Sequence, residues 1–350
     1  MDVALFDYEL PEERIALRPV VPRDSARMLV VHEDGSLTNT RVRDLPEFLR
    51  NGDMLVVNDS RVIPARLHGR KLASDAEGPA IELLLHKRTT PDRFLALARP
   101  ARKLAAGDRL QFDGFGAQVF AKRDAGEVEI AFDIAGSALD AAIARTGEIP
   151  LPPYIARRRA VDARDVSDYQ TMFAKNEGSS AAPTAGLHFT PDLLARLAEA
   201  GVAREQVTLH VGPGTFLPVN TEDTSRHSMH KEWLQVSGQT AANINAAHAA
   251  GGHIVAVGTT SLRTLETAAG GNGEVRAWDG ETDLFITPGY RFKAVHVLLT
   301  NFHLPRSTLF MLVCAFTGLE TMKRAYAEAI AERYRFYSYG DACLLFRPRQ

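Results

Sequence analysis

Five short runs of the chain combine small or glycine residues with polar side chains, and four of them follow a predicted β-strand. In open α/β sheets, ligands bind at the carboxyl ends of the strands. We therefore expect these runs to meet at one edge of a sheet and to form an active site there. The runs are Asn58-Asp59-Ser60-Arg61, Thr184-Ala185-Gly186-Leu187-His188, His210-Val211-Gly212-Pro213-Gly214-Thr215, Gly258-Thr259-Thr260-Ser261-Leu262-Arg263 and Thr300-Asn301-Phe302-His303.

Histidine and carboxylate side chains in these runs are candidates for proton transfer. Histidine has an unperturbed pKa that allows proton transfer near neutral pH. His188 lies among small residues that would let backbone amides approach a ligand closely. An isolated histidine of this kind more often serves packing. The presence of His210, Asp59 and the glycine loops in the other runs favours a functional role for His188.

Two of the loops are candidates for binding rather than proton transfer. Gly212 and Gly214 form a turn whose backbone could contact a ligand closely, and the alternative is a tight turn that binds no ligand. The run 258–261 precedes a predicted helix, whose free N–H groups favour an anionic group such as a substrate carboxylate, with capping by Thr or Ser as the alternative. Arg263 and Glu266 lie one helical turn apart, and the alternative to a binding role is that they form no more than a surface ion pair of small energetic value.

The segment 227–232 invites a metal interpretation because it holds two histidines and a carboxylate. The spacing is not that of His-Glu-x-x-His, and a strand that placed His230 and Glu232 on one face would turn His227 away. We expect substrate contacts or solvated strand residues here, and no metal site. The chain also lacks Gly-x-Gly-x-x-Gly and P-loop signatures, which argues against dinucleotide-binding and P-loop enzymes.

Bulk composition indicates an ordinary globular protein. The chain has 350 residues, of which 45% are hydrophobic and 24% charged, and this length favours two domains. Cys314 and Cys343 stand in apolar surroundings, and such sparse cysteine indicates a reducing compartment. The N-terminus lacks a basic segment followed by a long apolar one. We therefore expect a cytoplasmic protein without a membrane span.

The formal net charge of −2 gives no global attraction to phosphate, so nucleic-acid contacts would have to come from local clusters. One cluster is Arg99, Arg102 and Lys103. The other is Arg157, Arg158, Arg159 and Arg164, which lies in a loop beside a proline-rich stretch. Each could equally be a solvated basic face, and the salt dependence of binding would distinguish the two.

Between residues 62 and 148 the pattern is one of short strand-like runs separated by turn residues, which is typical of a small antiparallel barrel. On either side, strands alternate with helices, which implies a mostly parallel sheet. We therefore predict an α/β fold whose mostly parallel sheet is flanked by helices, with an inserted small antiparallel β-barrel domain. Residues 1–61 and 149–350 would form a discontinuous catalytic domain, and 62–148 the barrel. The predicted barrel runs are 80–85, 93–98, 109–112, 118–121 and 128–132.

Taken in order, the motifs of this chain resemble the S-adenosylmethionine:tRNA ribosyltransferase-isomerase family of queuosine biosynthesis. The resemblance spans nearly the whole chain. Departures occur at Pro213, Ser60 and Ser179-Ser180, and none removes an ionisable group. The matching segments are Phe6-Asp7-Tyr8-Glu9-Leu10-Pro11, Gly147-Glu148-Ile149-Pro150-Leu151-Pro152-Pro153-Tyr154-Ile155, His230-Lys231-Glu232, Tyr337-Ser338-Tyr339-Gly340-Asp341-Ala342, and residues 23–27, 52–67, 169–170, 181–189, 208–216, 257–266, 285–290 and 298–305.

The resemblance implies transfer and isomerisation of the ribosyl part of S-adenosylmethionine onto 7-aminomethyl-7-deazaguanine at the wobble position of tRNA. Epoxyqueuosine-tRNA, adenine and methionine would be the products. S-adenosylmethionine is then a co-substrate, with no permanently bound cofactor and no metal, and tRNA is the partner of a chain that we expect to be a monomer. The remaining alternatives are an S-adenosylmethionine-dependent tRNA methyltransferase and a non-catalytic tRNA-binding module.

Residue roles follow as hypotheses from the resemblance and the chemistry. Deprotonation beside a sulfonium needs a base, departing adenine needs a proton, and the attacking amine must be neutral. His188, with Asp59 as the alternative, would transfer the proton, while His210 and Glu232 would handle the adenine or the amine. The expected S-adenosylmethionine contacts are Thr184, Gly186, Gly212, Gly214, Gly258, Thr259, Thr260, Ser261 and Arg263, and the expected substrate or tRNA contacts are Arg61, His230, Asn301, His303, Arg157, Arg158 and Arg159.

Overall fold

The structure is a computed structural model that describes residues 1–72, 77–123, 126–212, 214, 219 and 221–348. The chain forms two compact units. The first unit comprises Met1–Ser60, Gln170–Asn176 and Pro183–Gln350, and the second comprises Arg61–Tyr169 and Glu177–Ala182. The chain therefore leaves the first unit after Ser60 and visits it again briefly at Gln170–Asn176 before its final return.

Strands and short helices make up both units. The strands are β1 (Arg27–Val31), β2 (Leu37–Arg41), β3 (Met54–Asn58), β4 (Ser60–Val62), β5 (Arg66–Leu72), β6 (Glu77–Thr90), β7 (Arg93–Arg99), β8 (Arg109–Phe112), β9 (Phe115–Lys122), β10 (Glu127–Phe132), β11 (Asn176–Ser179), β12 (Ala203–Leu209), β13 (Glu232–Val236), β14 (Ile254–Val257), β15 (Trp278–Thr282), β16 (Val297–Asn301) and β17 (Ala342–Phe346). The α-helices are α1 (Gly136–Thr146), α2 (Pro153–Ala156), α3 (Asp165–Asp168), α4 (Pro191–Glu199), α5 (Gly238–Ala249), α6 (Gly258–Ala268), α7 (Thr308–Thr317) and α8 (Leu319–Ala331).

The first unit is built on a nine-stranded sheet in the order β15-β13-β12-β3-β14-β16-β17-β1-β2. Neighbours within the central run β12-β3-β14-β16 are parallel. The strands towards β15 and the pairs β16-β17 and β1-β2 are antiparallel. The predicted α/β class is confirmed, and the sheet as a whole is mixed.

The central strands are apolar along most of their length, as is typical of parallel strands covered on both faces. All residues of β3 and β16 are buried, and so is the short β14. Helices α4 and α5 begin at side-chain caps, since Thr190 accepts a hydrogen bond from Leu193 N and Ser237 accepts one from Thr240 N. Because β12, β3, β14 and β16 are parallel, their carboxyl ends lie at one edge of the sheet.

The second unit contains a closed antiparallel barrel in the order β10-β7-β6-β5-β8-β9. Its interior is apolar and is completed by Leu139, Ala142 and Ile143 of α1. This confirms the predicted barrel architecture. Strand β5 was not predicted, because its sequence Arg-Leu-His-Gly-Arg-Lys-Leu carries only two large apolar residues. Beyond the barrel, Pro153 begins α2, which is a single helical turn.

Helix α6 differs from its predicted start. It begins at Gly258, directly after β14, and not at Leu262. Gly258 has a φ of 88°, a left-handed conformation that glycine adopts without steric cost. The turn from strand to helix therefore needs no intervening loop. No helix in the described part of the chain is long and apolar enough to cross a membrane.

Glu266 fixes the segment that leads into β16. This carboxylate on α6 is fully buried and accepts hydrogen bonds from Lys293 N at 2.8 Å, Ala294 N at 3.0 Å and Val295 N at 3.1 Å. The Tyr290 hydroxyl donates to it as well, at 3.1 Å. The interpretation of Glu266 as half of a surface ion pair with Arg263 is therefore wrong, because its partners are backbone amides of an adjacent segment.

Replacement of Glu266 by Gln should destabilise the first unit by about 2–4 kcal/mol, because the amide group loses charge-assisted bonds and turns a donor towards other donors. Thermal and urea unfolding followed by circular dichroism would measure the change. Glu274→Gln, at an exposed position, is the matched control and should stay within about 0.5 kcal/mol of wild type. Equal stability of the two variants would contradict the anchoring role.

Candidate active site

Asp59 lies just past the carboxyl end of β3 and is held by three side-chain hydrogen bonds. The Thr208 hydroxyl donates to Oδ1 at 2.7 Å, and Asn176 Nδ2 lies 3.2 Å from Oδ1 and 3.1 Å from Oδ2. The backbone carbonyl of Asp59 also accepts from the amides of Lys175 and Asn176. With an exposed fraction of only 5%, Asp59 is a buried carboxylate in a fixed orientation.

His210 occupies the next position along this edge, one residue beyond β12. Its Nδ1 lies 2.8 Å from the Ser60 hydroxyl, and its ring stacks on Trp233 with 5.0 Å between centroids. Burial lowers the pKa of His210, while the nearby Asp59 carboxylate partly offsets that effect. The imidazole is therefore neutral at physiological pH and able to accept or donate a hydrogen bond.

Glu232 and Arg263 form a buried ion pair, and Glu232 also contacts the glycine loop at Gly212. Arg263 Nη1 donates to Glu232 Oε2, and Gly212 N donates to Oε1 at 3.1 Å. Arg263 Nε also donates to the carbonyl of Leu284 at 3.1 Å. Glu232 is therefore charge-compensated by Arg263 while it positions the backbone of Gly212. Pro213 and Thr215 of the same predicted loop lie outside the described residues.

The side chain of His230 leaves no space for a side chain at Gly214. A Cβ atom at this position would lie 2.5 Å from Cδ2 of His230, a distance that real Cβ atoms do not reach. His230 itself is exposed, so its imidazole forms part of the surface beside the loop. The two residues predicted to bind different substrates are thus in contact with each other.

The amino terminus of α6 opens onto the same edge of the sheet. No side chain among the described residues caps it, so the predicted alternative of Thr or Ser capping is not found. The Ser261 hydroxyl donates back to the Val257 carbonyl at 2.9 Å within the helix, whereas the Thr260 Oγ1 atom is buried without a hydrogen-bond partner in the described part. The first turn therefore offers backbone N–H groups and one hydroxyl.

His188 ends a short 3-10 helix, Thr184–His188, and is tied to the end of β16. Its Nε2 lies 3.3 Å from Asn301 Nδ2, and the Thr184 hydroxyl donates to Asn301 Oδ1 at 2.9 Å. Ala185 of the same 3-10 helix lies against Gly258, since a Cβ there would be 3.4 Å from the Ala185 Cβ. The 3-10 helix that ends at His188 is thereby packed against the start of α6.

The electrostatic surroundings of His188 keep its imidazole neutral. Burial lowers its pKa to about 3, and the positive charges of Arg335 and Arg23 act in the same direction. A small cavity of about 10 Å³, enough for one water molecule, is bordered by His188, Arg23 and the backbone near Gly340. An imidazole with this pKa is a weak base and remains an efficient hydrogen-bonding group.

Several predicted contact residues are engaged in the fold instead. His303 is buried, with its Nε2 atom 2.9 Å from the Thr300 hydroxyl, and burial lowers its pKa to about 3. The Arg159 guanidinium bonds both oxygens of the buried Asp165, at 2.7 and 2.6 Å. Gly186 lies against Thr171, whose Cγ2 would be 3.1 Å from an added Cβ. These contacts indicate structural roles for His303, Arg159 and Gly186.

Three further residues that are predicted to contact tRNA lie in the second unit. Arg61, Arg157 and Arg158 have exposed side chains.

Within the described residues, no three histidine, cysteine or acidic side chains stand close enough together to hold a metal ion. Cys314 and Cys343 are buried and free, as their apolar surroundings predict.

Asn176 is a site residue that the sequence did not reveal. It belongs to no polar run after a predicted strand and reaches Asp59 only because Gln170–Asn176 returns to the first unit. Thr208 lies in one of the matching segments, but no role was expected for it. Tyr337 was missed because it contributes a backbone carbonyl, which accepts from Asn301 Nδ2 at 3.2 Å and has no side-chain signature.

Comparison with known proteins gives the site its context. The family model described as Queuosine biosynthesis protein matches residues 3–345. A protein of Methylobacterium sp. (strain 4-46) named S-adenosylmethionine:tRNA ribosyltransferase-isomerase is 59% identical, with 99% of both chains covered. A protein of Methylobacterium radiotolerans with the same name is 61% identical, covering 99% of this chain and 98% of its own.

A solved structure is also similar over the full length. The crystal structure of S-adenosylmethionine tRNA ribosyltransferase from Thermotoga maritima has 37% sequence identity and a TM-score of 0.56, with 98% of this chain and 100% of that chain covered. The family model and the relatives cover nearly every residue of the chain, including the residues of the candidate site. The chain belongs to the family of queuosine biosynthesis proteins.

Proposed function

We propose that this chain is a transferase that moves the ribosyl part of S-adenosylmethionine onto 7-aminomethyl-7-deazaguanine at the wobble position of tRNA and isomerises it, releasing adenine and methionine. The observation that carries the proposal is 59–61% identity over 99% of the chain with enzymes named for this activity. With such a substrate, we expect the enzyme to act in the cytoplasm. The buried polar edge of the sheet supplies groups of the kinds that the reaction needs.

The reaction requires three proton transfers. A proton leaves the carbon beside the sulfonium, adenine acquires one as it departs, and the incoming amine must lose its charge before it attacks. We assign these transfers to Asp59, just past the end of β3, with His210 beside it. His188, which is tied to the end of β16 through Asn301, is assigned a hydrogen bond to the reacting atoms. The carboxylate of Asp59 would accept protons, and the neutral His210, whose Nδ1 contacts the hydroxyl of the neighbouring residue Ser60, would assist.

The methionine end of S-adenosylmethionine is assigned to the start of α6. Its carboxylate would accept from the uncapped N–H groups near Thr259 and from the Thr260 hydroxyl, which is buried without a partner among the described residues. Arg263 Nη2 is likewise buried without a partner there. Glu232 has a supporting part, since it compensates the Arg263 charge and holds Gly212 N. Ser261 is not assigned to the substrate carboxylate, because its hydroxyl already donates to the Val257 carbonyl.

The tRNA contacts are assigned to exposed cations. Arg61, Arg157 and Arg158 are exposed and could neutralise phosphates, whereas Arg159 is paired with Asp165. Replacing one phosphate-binding arginine by alanine should reduce the logarithmic salt slope of tRNA binding by about one. His230 would contact substrate from the surface beside Gly214.

The activity is tested by incubating the protein with S-adenosylmethionine and tRNA that carries the 7-aminomethyl base. We expect free adenine, methionine and a nucleoside whose mass has increased by the transferred ribosyl part. Release of S-adenosylhomocysteine would identify a methyltransferase instead. Tight tRNA binding without any small-molecule product would identify a binding module, and either result would overturn the proposal.

Asp59→Asn and His188→Ala should separate chemistry from binding. We expect each to lower kcat by about 100-fold or more, because a positioned proton-transfer group or a positioned donor to developing charge typically contributes that much, while the Kd for S-adenosylmethionine changes less than about threefold. Adenine release and calorimetric titration would measure the two quantities. His303→Gln, which alters a buried histidine that we place in the fold, is the control and should retain kcat. Unchanged turnover of Asp59→Asn would remove that carboxylate from the mechanism.

Glu232→Gln should act through binding. Loss of a charge-assisted hydrogen bond costs roughly 1.5–3 kcal/mol, so KM for S-adenosylmethionine should rise about 10-fold or more, with a smaller change in kcat. The control is Glu281→Gln, whose exposed pairing with Lys231 spans 3.9 Å and should have little energetic value. A KM equal to that of the control would show that the contacts of Glu232 with Gly212 and Arg263 have no part in binding.

A further inference from the structure

Asn301 makes three polar contacts and has a defined amide orientation. Its Oδ1 accepts from the Thr184 hydroxyl at 2.9 Å, and its Nδ2 lies 3.2 Å from the Tyr337 carbonyl and 3.3 Å from His188 Nε2. The side chain is 3% exposed. It is therefore removed from the surface that a tRNA would meet, although it stands beside a residue that we place at the reacting centre.

The Tyr337 carbonyl decides which way the amide faces. A carbonyl can only accept, so the group that faces it must be the NH₂ of Asn301 and not the oxygen. The Thr184 hydroxyl on the other side completes this orientation by donating to Oδ1. The NH₂ group carries two hydrogens, one for Tyr337 and one for His188.

The orientation of Asn301 in turn decides the tautomer of His188. A hydrogen of Nδ2 points at Nε2, so Nε2 must present its lone pair and the ring proton must sit on Nδ1. We propose that Asn301 is a positioning residue that fixes His188 as the neutral Nδ1–H tautomer, so that His188 meets the substrate as a hydrogen-bond donor and not as a base.

Charges around His188 support the same state. The positive charges of Arg23 and Arg335 disfavour a second proton on the ring, in addition to the effect of burial. The Arg335 guanidinium is itself held in place, since its Nη1 donates to the Arg18 carbonyl at 3.3 Å and its Nη2 pairs with Asp341 Oδ1 at 3.4 Å. Its charge therefore stays beside the ring. Because Asn301 occupies Nε2, the Nδ1–H group is the part of the His188 ring that can donate a hydrogen bond to a ligand.

The catalytic consequence rests on the proposed function. A donor at this position would stabilise negative charge that develops on an acceptor atom of the substrate, such as a nitrogen of departing adenine. Removal of the proton beside the sulfonium then belongs to Asp59, whose carboxylate is held in a fixed orientation by Asn176 and Thr208.

The tautomer can be measured directly, without substrate. We expect ¹⁵N-histidine NMR of the full chain at pH 7 to show His188 with a protonated Nδ1 and an unprotonated Nε2. An Nε2–H tautomer or an imidazolium at that pH would overturn the proposal. Because this measurement needs no turnover, a failure to release adenine would count against ribosyl transfer and would leave the tautomer assignment standing.

Asn301→Asp, nearly isosteric, tests the role of the amide. A carboxylate facing Nε2 must accept, so we expect the proton to move to Nε2 or the ring to become charged, with kcat reduced about tenfold or more and KM for S-adenosylmethionine changed less than about threefold. Thr300→Val is the matched control, because it removes the hydroxyl partner of the other buried histidine, His303, and should leave the His188 resonances unchanged. Wild-type His188 resonances in Asn301→Asp would overturn the proposal.

Discussion

The polar side chains of the candidate site are almost fully buried, and this constraint governs how the site is built. Asp59, His188 and Arg263 are each 5% exposed, and Glu232 is 6% exposed. A buried polar group without a partner loses several kcal/mol of solvation, and a buried unpaired charge loses more. Each of these side chains is therefore tied to a specific partner on a neighbouring element. The partners in turn dictate orientation, protonation and the path of the adjoining backbone.

Helix α6 connects these requirements. One face of its first turn lies at the substrate edge, Arg263 in its second turn pairs with β13, and Glu266 holds the backbone that leads into β16. Because β16 ends at Asn301, the orientation of His188 depends on the same helix. A displacement of α6 would thus disturb the expected carboxylate site, the glycine loop and the histidine together.

The sequence predicted local features well and pairings across the fold poorly. The barrel and the placement of polar runs after strands follow from periodicity and turn chemistry, which are local. The pairing of Arg263 with Glu232 spans 31 residues and depends on where β13 sits in the sheet, so the nearer Glu266 was chosen instead. Asn176 carried no signal, since its approach to Asp59 comes from the long return of the chain. The role of Tyr337 rests on a carbonyl, which every residue possesses.

The buried pair of Glu232 and Arg263 also has an evolutionary consequence. A single substitution at either position leaves the other charge stranded in a site that water does not reach. Drift at these two positions is therefore confined to coordinated changes, in which both charges are lost or exchanged in concert. Across diverging members of the family, the two positions should covary while the surface arginines beside Arg157 vary independently of one another.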